Sequence, residues 1–299
     1  MVVGETGNVD AAIAIDYVKE EREEINMVFH FEIAKNPVLK NAIEIKEIER
    51  RWNRVVMEQN GWISQYLSNH DTPRQVSFFG NDDKYRYESA TMLGLLMHTH
   101  PGTVFIYQGE EIGMTNVDFP SIDYYDEKYT VGKYQTMIES GVDPVTALNS
   151  LKHTSRDNDR TPMQWNDSEN GGFTTGIPWM HSNPNYTVIN VEREENVEHS
   201  VLHFYRTLTS MRKKHPVMVY GDYKQMLEDD ENLIVYRRHY DEETWIVICN
   251  FYEKDLNMPE AVRAILDHEK ETLLLGNYAD VTVENRNNIR PYEARIYCL

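Results

Sequence analysis

The chain has 299 residues, enough for about two domains, and its 40% hydrophobic and 26% charged residues are those of a packed globular protein rather than a disordered one. A net charge of −19 repels phosphate backbones and anionic headgroups, which argues against nucleic acid and membrane surfaces as partners. The two cysteines, Cys249 and Cys298, lie in strand-like apolar runs and read as buried thiols of a reducing compartment, so a cytoplasmic location is expected.

The first residues, MVVGETGNVD, have neither a basic n-region nor an apolar h-region, and no secretory signal is expected there. Four short apolar runs follow one another: MVVGE, INMVFHFE, WISQYLSNHD and TVFIYQGEE. Each ends in carboxylates, at Glu5, Glu32, Asp71 and Glu110, spaced by 27, 39 and 39 residues. That spacing suits successive β-α units around a parallel sheet, and unbroken apolar runs suit strands buried on both faces. Between them, Leu39 to Met57 places Leu39, Ile43, Ile48, Trp52, Val55 and Val56 near one helical face and stops at Asn60-Gly61. Tyr85 to His98 predicts a second, broadly buried helix that stops at Pro101-Gly102. The uncharged stretch Ser89–Gly109 contains this break, so it reads as helix, turn and strand rather than a membrane span. His98 and His100 are expected to close the helix as dipole-favoured residues.

Residues 115–190 predict a long irregular excursion, with one short helix begun by the Asp143-Pro144 pair and ending near Lys152. A stretch of that length inside a domain is expected to be functional. Val197 to Lys214 predicts another amphipathic helix. From Val217 the runs VMVYGDY, NLIVYRRHY, TWIVICNF, ETLLLGNY and YEARIYCL predict a small antiparallel β-domain.

Catalytic groups of parallel barrels gather at the C-terminal ends of the strands, where a buried acid needs either a partner or a chemical role. A pair of carboxylates around a cleft is what glycoside hydrolysis requires: one kept protonated as acid, the other stabilising the oxocarbenium-like centre. Glu5 closes the apolar run VVG, where desolvation would keep it protonated and suit it to be the acid. Asp71 lies beside His70 and near Arg74, where a cation would keep it ionised and suit it to charge stabilisation. Either acid could instead serve an ion pair at a strand end. Glu110 and Glu111 read as lining or structural residues, Glu32 as structural, and no histidine spacing suggests zinc.

The segments VVGE, SNHDTPRQVSFFGND, IYQGEEIGM and RDNDRTPMQW, followed by GFTTG and NPNY, resemble glycoside hydrolase family 13. Within it they are most similar to the oligo-1,6-glucosidase, dextran glucosidase and trehalose-6-phosphate hydrolase group. The resemblance implies an α/β fold: the C-terminal half of a TIM-type (β/α)8 barrel, strands five to eight, over residues 1–216, then an antiparallel β-sandwich domain over 217–299. It implies that Glu5 is the general acid/base, that Asp71 stabilises the transition state, and that His70 and Arg156 contact the sugar. The family's nucleophile is an Asp in a motif resembling G-F-R-x-D, and no such motif occurs in this sequence. The resemblance places that nucleophile and the first four strands in a missing N-terminal half. The expected activity is a retaining α-glucosidase for short oligosaccharides, inactive as this chain alone, without cofactor or metal. Trehalose-6-phosphate hydrolysis is the alternative within enzymes, and a non-catalytic sugar-binding or structural remnant the alternative outside them.

Overall fold

In the computed structural model, which describes residues 1–34, 42–268, 271–282 and 285–299, the four apolar runs each contribute a short strand. These are β1 (Val3–Glu5), β2 (Met27–Phe29), β3 (Ser64–Gln65) and β4 (Thr103–Val104). β1 pairs with β2 in parallel, with Glu5 opposite Phe29, and β3 pairs with β4 in parallel, with Ser64 opposite Thr103. All four belong to one compact unit made of residues 1–67, 91–105 and 207–299. Buried polar side chains add to the backbone bonding of these short ladders. The Ser64 hydroxyl donates to the Val28 carbonyl at 2.5 Å, and Gln65 Nε2 to the Pro101 carbonyl at 3.1 Å. The Pro101-Gly102 turn requires its glycine: φ is +100°, and a Cβ would fall 2.2 Å from the Ile63 carbonyl oxygen.

The helix Ala42–Val55 buries Ala42, Ile45, Ile48 and Trp52 along one stripe, and the chain leaves it through Asn60 in the left-handed region. Its expected first turn from Leu39 lies outside the described residues. The Trp52 ring stacks on His30 at 4.0 Å and its indole donates to Glu32 at 2.8 Å, while Arg51 pairs with the same carboxylate. Glu32 is therefore a bracing residue. The helix expected over Tyr85–His98 runs from Arg86 to Thr99. His98 and His100 close this helix as expected, but without the positive charge that a dipole partner would carry. Both are buried, each with Nδ1 2.7 Å from a carbonyl of the preceding turn, and burial pushes them down to about 4 and about 3.

From residue 222 the chain forms a five-stranded antiparallel sheet in the order β5-β6-β7-β11-β9. The strands are β5 (Asp222–Met226), β6 (Leu233–Tyr240), β7 (Glu243–Asn250), β9 (Thr272–Gly276) and β11 (Ala294–Cys298), and β8 (Leu256–Asn257) pairs separately with β10 (Asn288–Ile289). Leu233, Val235, Ile246, Ile248 and Tyr297 share a core with Met258, Val262, Leu266 and Ile289. Each such aliphatic side chain contributes roughly 1.5–3 kcal/mol by burial. Two details depart from the sequence expectation. VMVY is a helical turn, Val217–Tyr220, started by Pro216 in helical geometry, and Glu260–His268 is a helix whose Val262 and Leu266, four apart, cap the core.

The other compact unit holds residues 68–90 and 106–206. As expected it is rich in loops, and Asp143 caps the helix Pro144–Lys152 by accepting from the Thr146 amide at 3.0 Å. It also contains an unexpected helix, Lys128–Glu139, whose Val131 and Tyr134 pack against the core of Val117, Phe119, Tyr125 and Leu148. Two small cores hold the unit together, one of Val117, Phe119, Tyr125 and Leu148, the other of Ile112, Met114, Met163, Ile189 and Leu202. Among the described residues no helix is long and apolar enough to cross a membrane.

Candidate active site

The turn SNHD follows β3 in sequence and is built by its own side chains. The Asn69 carboxamide oxygen accepts from the Asp71 amide at 2.8 Å, and the Asn69 amide donates to the Thr72 hydroxyl at 2.9 Å. This presents Asp71 with its side chain only 17% exposed and His70 beside it at 58%. Three cationic or potentially cationic groups converge on one oxygen, Asp71 Oδ1. They are Arg160 Nη2 at 2.9 Å, Arg156 Nη1 at 3.5 Å and His70 Nε2 at 3.7 Å. Arg160 also donates from Nε to the His70 carbonyl at 2.9 Å, so a single guanidinium holds both the carboxylate and the backbone of the turn.

RDNDR positions the two arginines. Asp157–Arg160 is one helical turn with Arg156 at its N-cap position, and residues four apart on such a turn share a face. Both guanidinium groups therefore reach the same acid. Arg160 is not among the residues expected at the site from sequence, although the spacing of the two arginines in RDNDR carries the signal.

Under this surface lies a dry polar layer. Arg74 and Asp159 are essentially inaccessible, with Arg74 Nε 2.8 Å from Asp159 Oδ1. The arginine spends its N–H groups widely, on the carbonyls of Asn158 at 3.0 Å and Gln108 at 2.6 Å and on the Thr161 hydroxyl at 3.2 Å. Glu110 is also buried and accepts from the Ser68 hydroxyl at 2.6 Å and the Tyr107 amide at 3.2 Å. Gly109 opens this segment at φ +95°, where a Cβ would fall 2.5 Å from Met114 Sδ and 2.7 Å from Arg74 Nη1. Desolvation raises Asp159 to about 7 against the pull of Arg74, and raises Glu110 to about 8 with the repulsion of Asp159 added.

His70, Asp71 and Arg156 are thus brought together in one unit. Glu5 belongs to the other unit and ends β1 there. It is exposed, so the burial expected from the preceding VVG is not provided by the described residues. Its near neighbour is Tyr66, whose hydroxyl is raised by burial and by the Glu5 charge. Among the described residues no group of three or more His, Cys, Asp or Glu is placed to hold a metal ion. What the Asp71 arrangement can do is accept hydrogen bonds from hydroxyl groups on a carboxylate held rigid by two guanidinium groups, with the partly exposed His70 and Arg156 as adjacent donors.

A family model described as the alpha amylase catalytic domain matches residues 1–221, and the chain belongs to that family of glycoside hydrolases. The oligo-1,6-glucosidase of Halalkalibacterium halodurans is 43% identical over 99% of this chain and 54% of its own length. The trehalose-6-phosphate hydrolase of Bacillus subtilis is 36% identical over 100% and 55%. Among solved structures, the trehalose-6-phosphate hydrolase of Bacillus licheniformis matches at a TM-score of 0.91 and 36% identity, over 100% of this chain and 56% of that one. The isomaltulose synthase of Klebsiella sp. LX3 matches at 0.87 and 32%, over 99% and 55%. The chain spans about half the length of the curated relatives it matches. Its fold is the mixed helix-and-strand fold of the family's barrel enzymes.

Proposed function

We propose that this chain carries one part of the active site of a retaining α-glucosidase that removes terminal α-linked glucose from short oligosaccharides. The observation that carries the reading is the Asp71 carboxylate, held by Arg156 and Arg160 beside an exposed His70, in a chain 43% identical to an oligo-1,6-glucosidase. In this reading β1 to β4 are the last four strands of an eight-stranded barrel within residues 1–216. Residues 217–299 form a β-sandwich-like domain with no catalytic role, and the protein works in the cytoplasm.

Asp71 would hold ring hydroxyls of the glucose and stabilise the charge that develops at its anomeric carbon, with His70 and Arg156 contacting the same sugar. Glu5 would protonate the departing oxygen and then take a proton from water. Its exposure means that bound sugar and a further segment must supply the desolvation an acid needs. A carboxylate from that further segment would be the nucleophile and form the glycosyl-enzyme bond. The chain alone would not turn over substrate.

The test joins this chain to the segment of the Halalkalibacterium halodurans oligo-1,6-glucosidase that it does not span. A chromogenic α-glucoside is hydrolysed by the hybrid and not by the chain alone if the reading is right. Strong turnover by the chain alone overturns the dependence on a further segment. A folded hybrid that binds sugar without turnover favours a non-catalytic role.

A further inference from the structure

The antiparallel sheet leaves an open cavity at its β5 edge. The cavity, about 460 Å³, lies between that edge and the helix Glu260–His268, with Lys224, Arg237, Met226, Ile246, Ile265 and Leu299 around it. All of these residues belong to one compact unit. The strand register explains why charge and apolar surface meet here. Lys224 of β5 stands opposite Arg237 of β6, and Arg237 opposite Ile246 of β7. Residues paired in this way point to the same face of a sheet, with Cβ atoms about 5 Å apart. Ile246 belongs to the apolar core of this sheet and its helix, and Met226, Ile265 and Leu299 pack at the margin of that core. Two cations therefore stand side by side at the end of an apolar row, which is unfavourable without an anion.

The surrounding acids leave part of this charge uncompensated. Asp222 Oδ2 accepts from Arg237 Nη2 at 2.9 Å. Arg237 Nε is buried and has no hydrogen-bond partner among the described residues, and an orphaned donor of this kind costs stability. The Lys224 ammonium has neither an ion pair nor a hydrogen bond among the described residues. On the neighbouring helix Glu260 pairs with Arg263 and Asp267 with Arg286, and the Leu299 carboxyl group pairs with neither cation. Two cations against Asp222 leave one positive charge, on a chain whose net charge is −19. We infer that this cavity binds a small monoanionic carboxylate with an apolar chain. One carboxylate oxygen meets Lys224 Nζ, the other meets Arg237 Nε, and the chain lies over Ile246, Ile265 and Met226. A dianionic phosphate overshoots the available charge, and a neutral apolar molecule leaves both donors unmet. The site is independent of the α-glucosidase reading, because none of its residues belongs to the Asp71 arrangement and binding needs no turnover.

The experiment is titration of the full chain with octanoate by isothermal titration calorimetry, with butanoate, 1-octanol and inorganic phosphate as comparison probes. Hydrogen-exchange mass spectrometry locates the site. Octanoate binds at one saturable site, and the peptides covering residues 222–226 and 260–268 exchange more slowly in its presence. Lys224→Gln and Arg237→Gln each weaken binding about tenfold, as loss of one charge-assisted contact requires. Butanoate binds weaker than octanoate by about tenfold or more, because it buries a shorter chain. The same margin, about tenfold or more, separates 1-octanol and phosphate from octanoate. Lys224 is exposed on an edge strand, so Lys224→Gln keeps the test open should Arg237→Gln fail to fold. The proposal is overturned if octanoate shows no saturable binding, if 1-octanol or phosphate matches it, or if a folded charge variant binds as the wild type does. Self-association of Lys224→Gln, with no octanoate binding by the wild type, also overturns it and makes the two cations guards of an open strand edge.

Discussion

Two acids at the ends of apolar runs look alike in sequence and differ in their surroundings. Asp71 is nearly enclosed within its own unit, with three side chains converging on one of its oxygens. Glu5, in the other unit, is exposed at the end of a three-residue strand. One acid has its electrostatics complete within NHDTPR and RDNDR. The other depends on whatever covers it. A strand end decides where an acid stands, while its chemistry is decided by the loops that close over it.

The comparison breaks most visibly at the layer supporting Asp71. Arg74→Ala leaves Asp159 and a set of carbonyls without their donor in a dry site. It should cost about 3–5 kcal/mol of stability in urea denaturation. A loss below 1 kcal/mol would mean that water reaches the pair.

Acid should unfold the chain through its buried histidines. Burial lowers His30 to about 3, His98 to about 4 and His100 to about 3, against 6.5 as the ordinary value. At each of these histidines the unfolded chain binds a proton below about pH 6.5 that the folded one does not, so the histidine contribution to stability falls as pH drops from there toward 4. Each such histidine contributes about 1 kcal/mol of that loss between pH 7 and 5.5. His100→Gln should flatten the dependence by that amount, and an unchanged slope contradicts the neutral assignment.

Asp71→Asn should cost about 1 kcal/mol, because its arginines remain partly exposed and hydrated. Glu5→Gln should change stability by less than about 0.5 kcal/mol, since the residue is exposed. Equal losses at the two acids would erase the distinction between an enclosed and an open carboxylate.

Much of this arrangement was legible in the sequence. Apolar runs ending in acids marked the four parallel strands, and short β-rich runs after Val217 marked the antiparallel sheet. Asp143-Pro144 marked a helix start because capping is local chemistry. The helix Lys128–Glu139 was hidden by Gly132 and β-branched Thr130, Val131 and Thr136, which weaken the helical signal. Glu260–His268 was hidden by its shortness between strand-like runs. At the site, His70, Asp71 and Arg156 were picked out by motifs, and the structure brings these three side chains together. The pairings of Ser68 with Glu110 and of Arg74 with Asp159 were not readable, since they depend on loops brought together by folding. The solvent exposure of Glu5 was not readable either, because a run of apolar neighbours does not say which face of a strand end is covered.

The role proposed for Glu5 is tested most directly by leaving-group dependence in the hybrid with the Halalkalibacterium halodurans segment. A general acid matters most when the departing oxygen is a poor leaving group. Glu5→Gln should slow formation of the glycosyl-enzyme by about 10²–10⁴-fold for an oligosaccharide. For a nitrophenyl α-glucoside, whose phenolate leaves unaided, it should barely change that step. Equal slowing of both substrates, or of neither, would contradict the assignment of Glu5 as the acid.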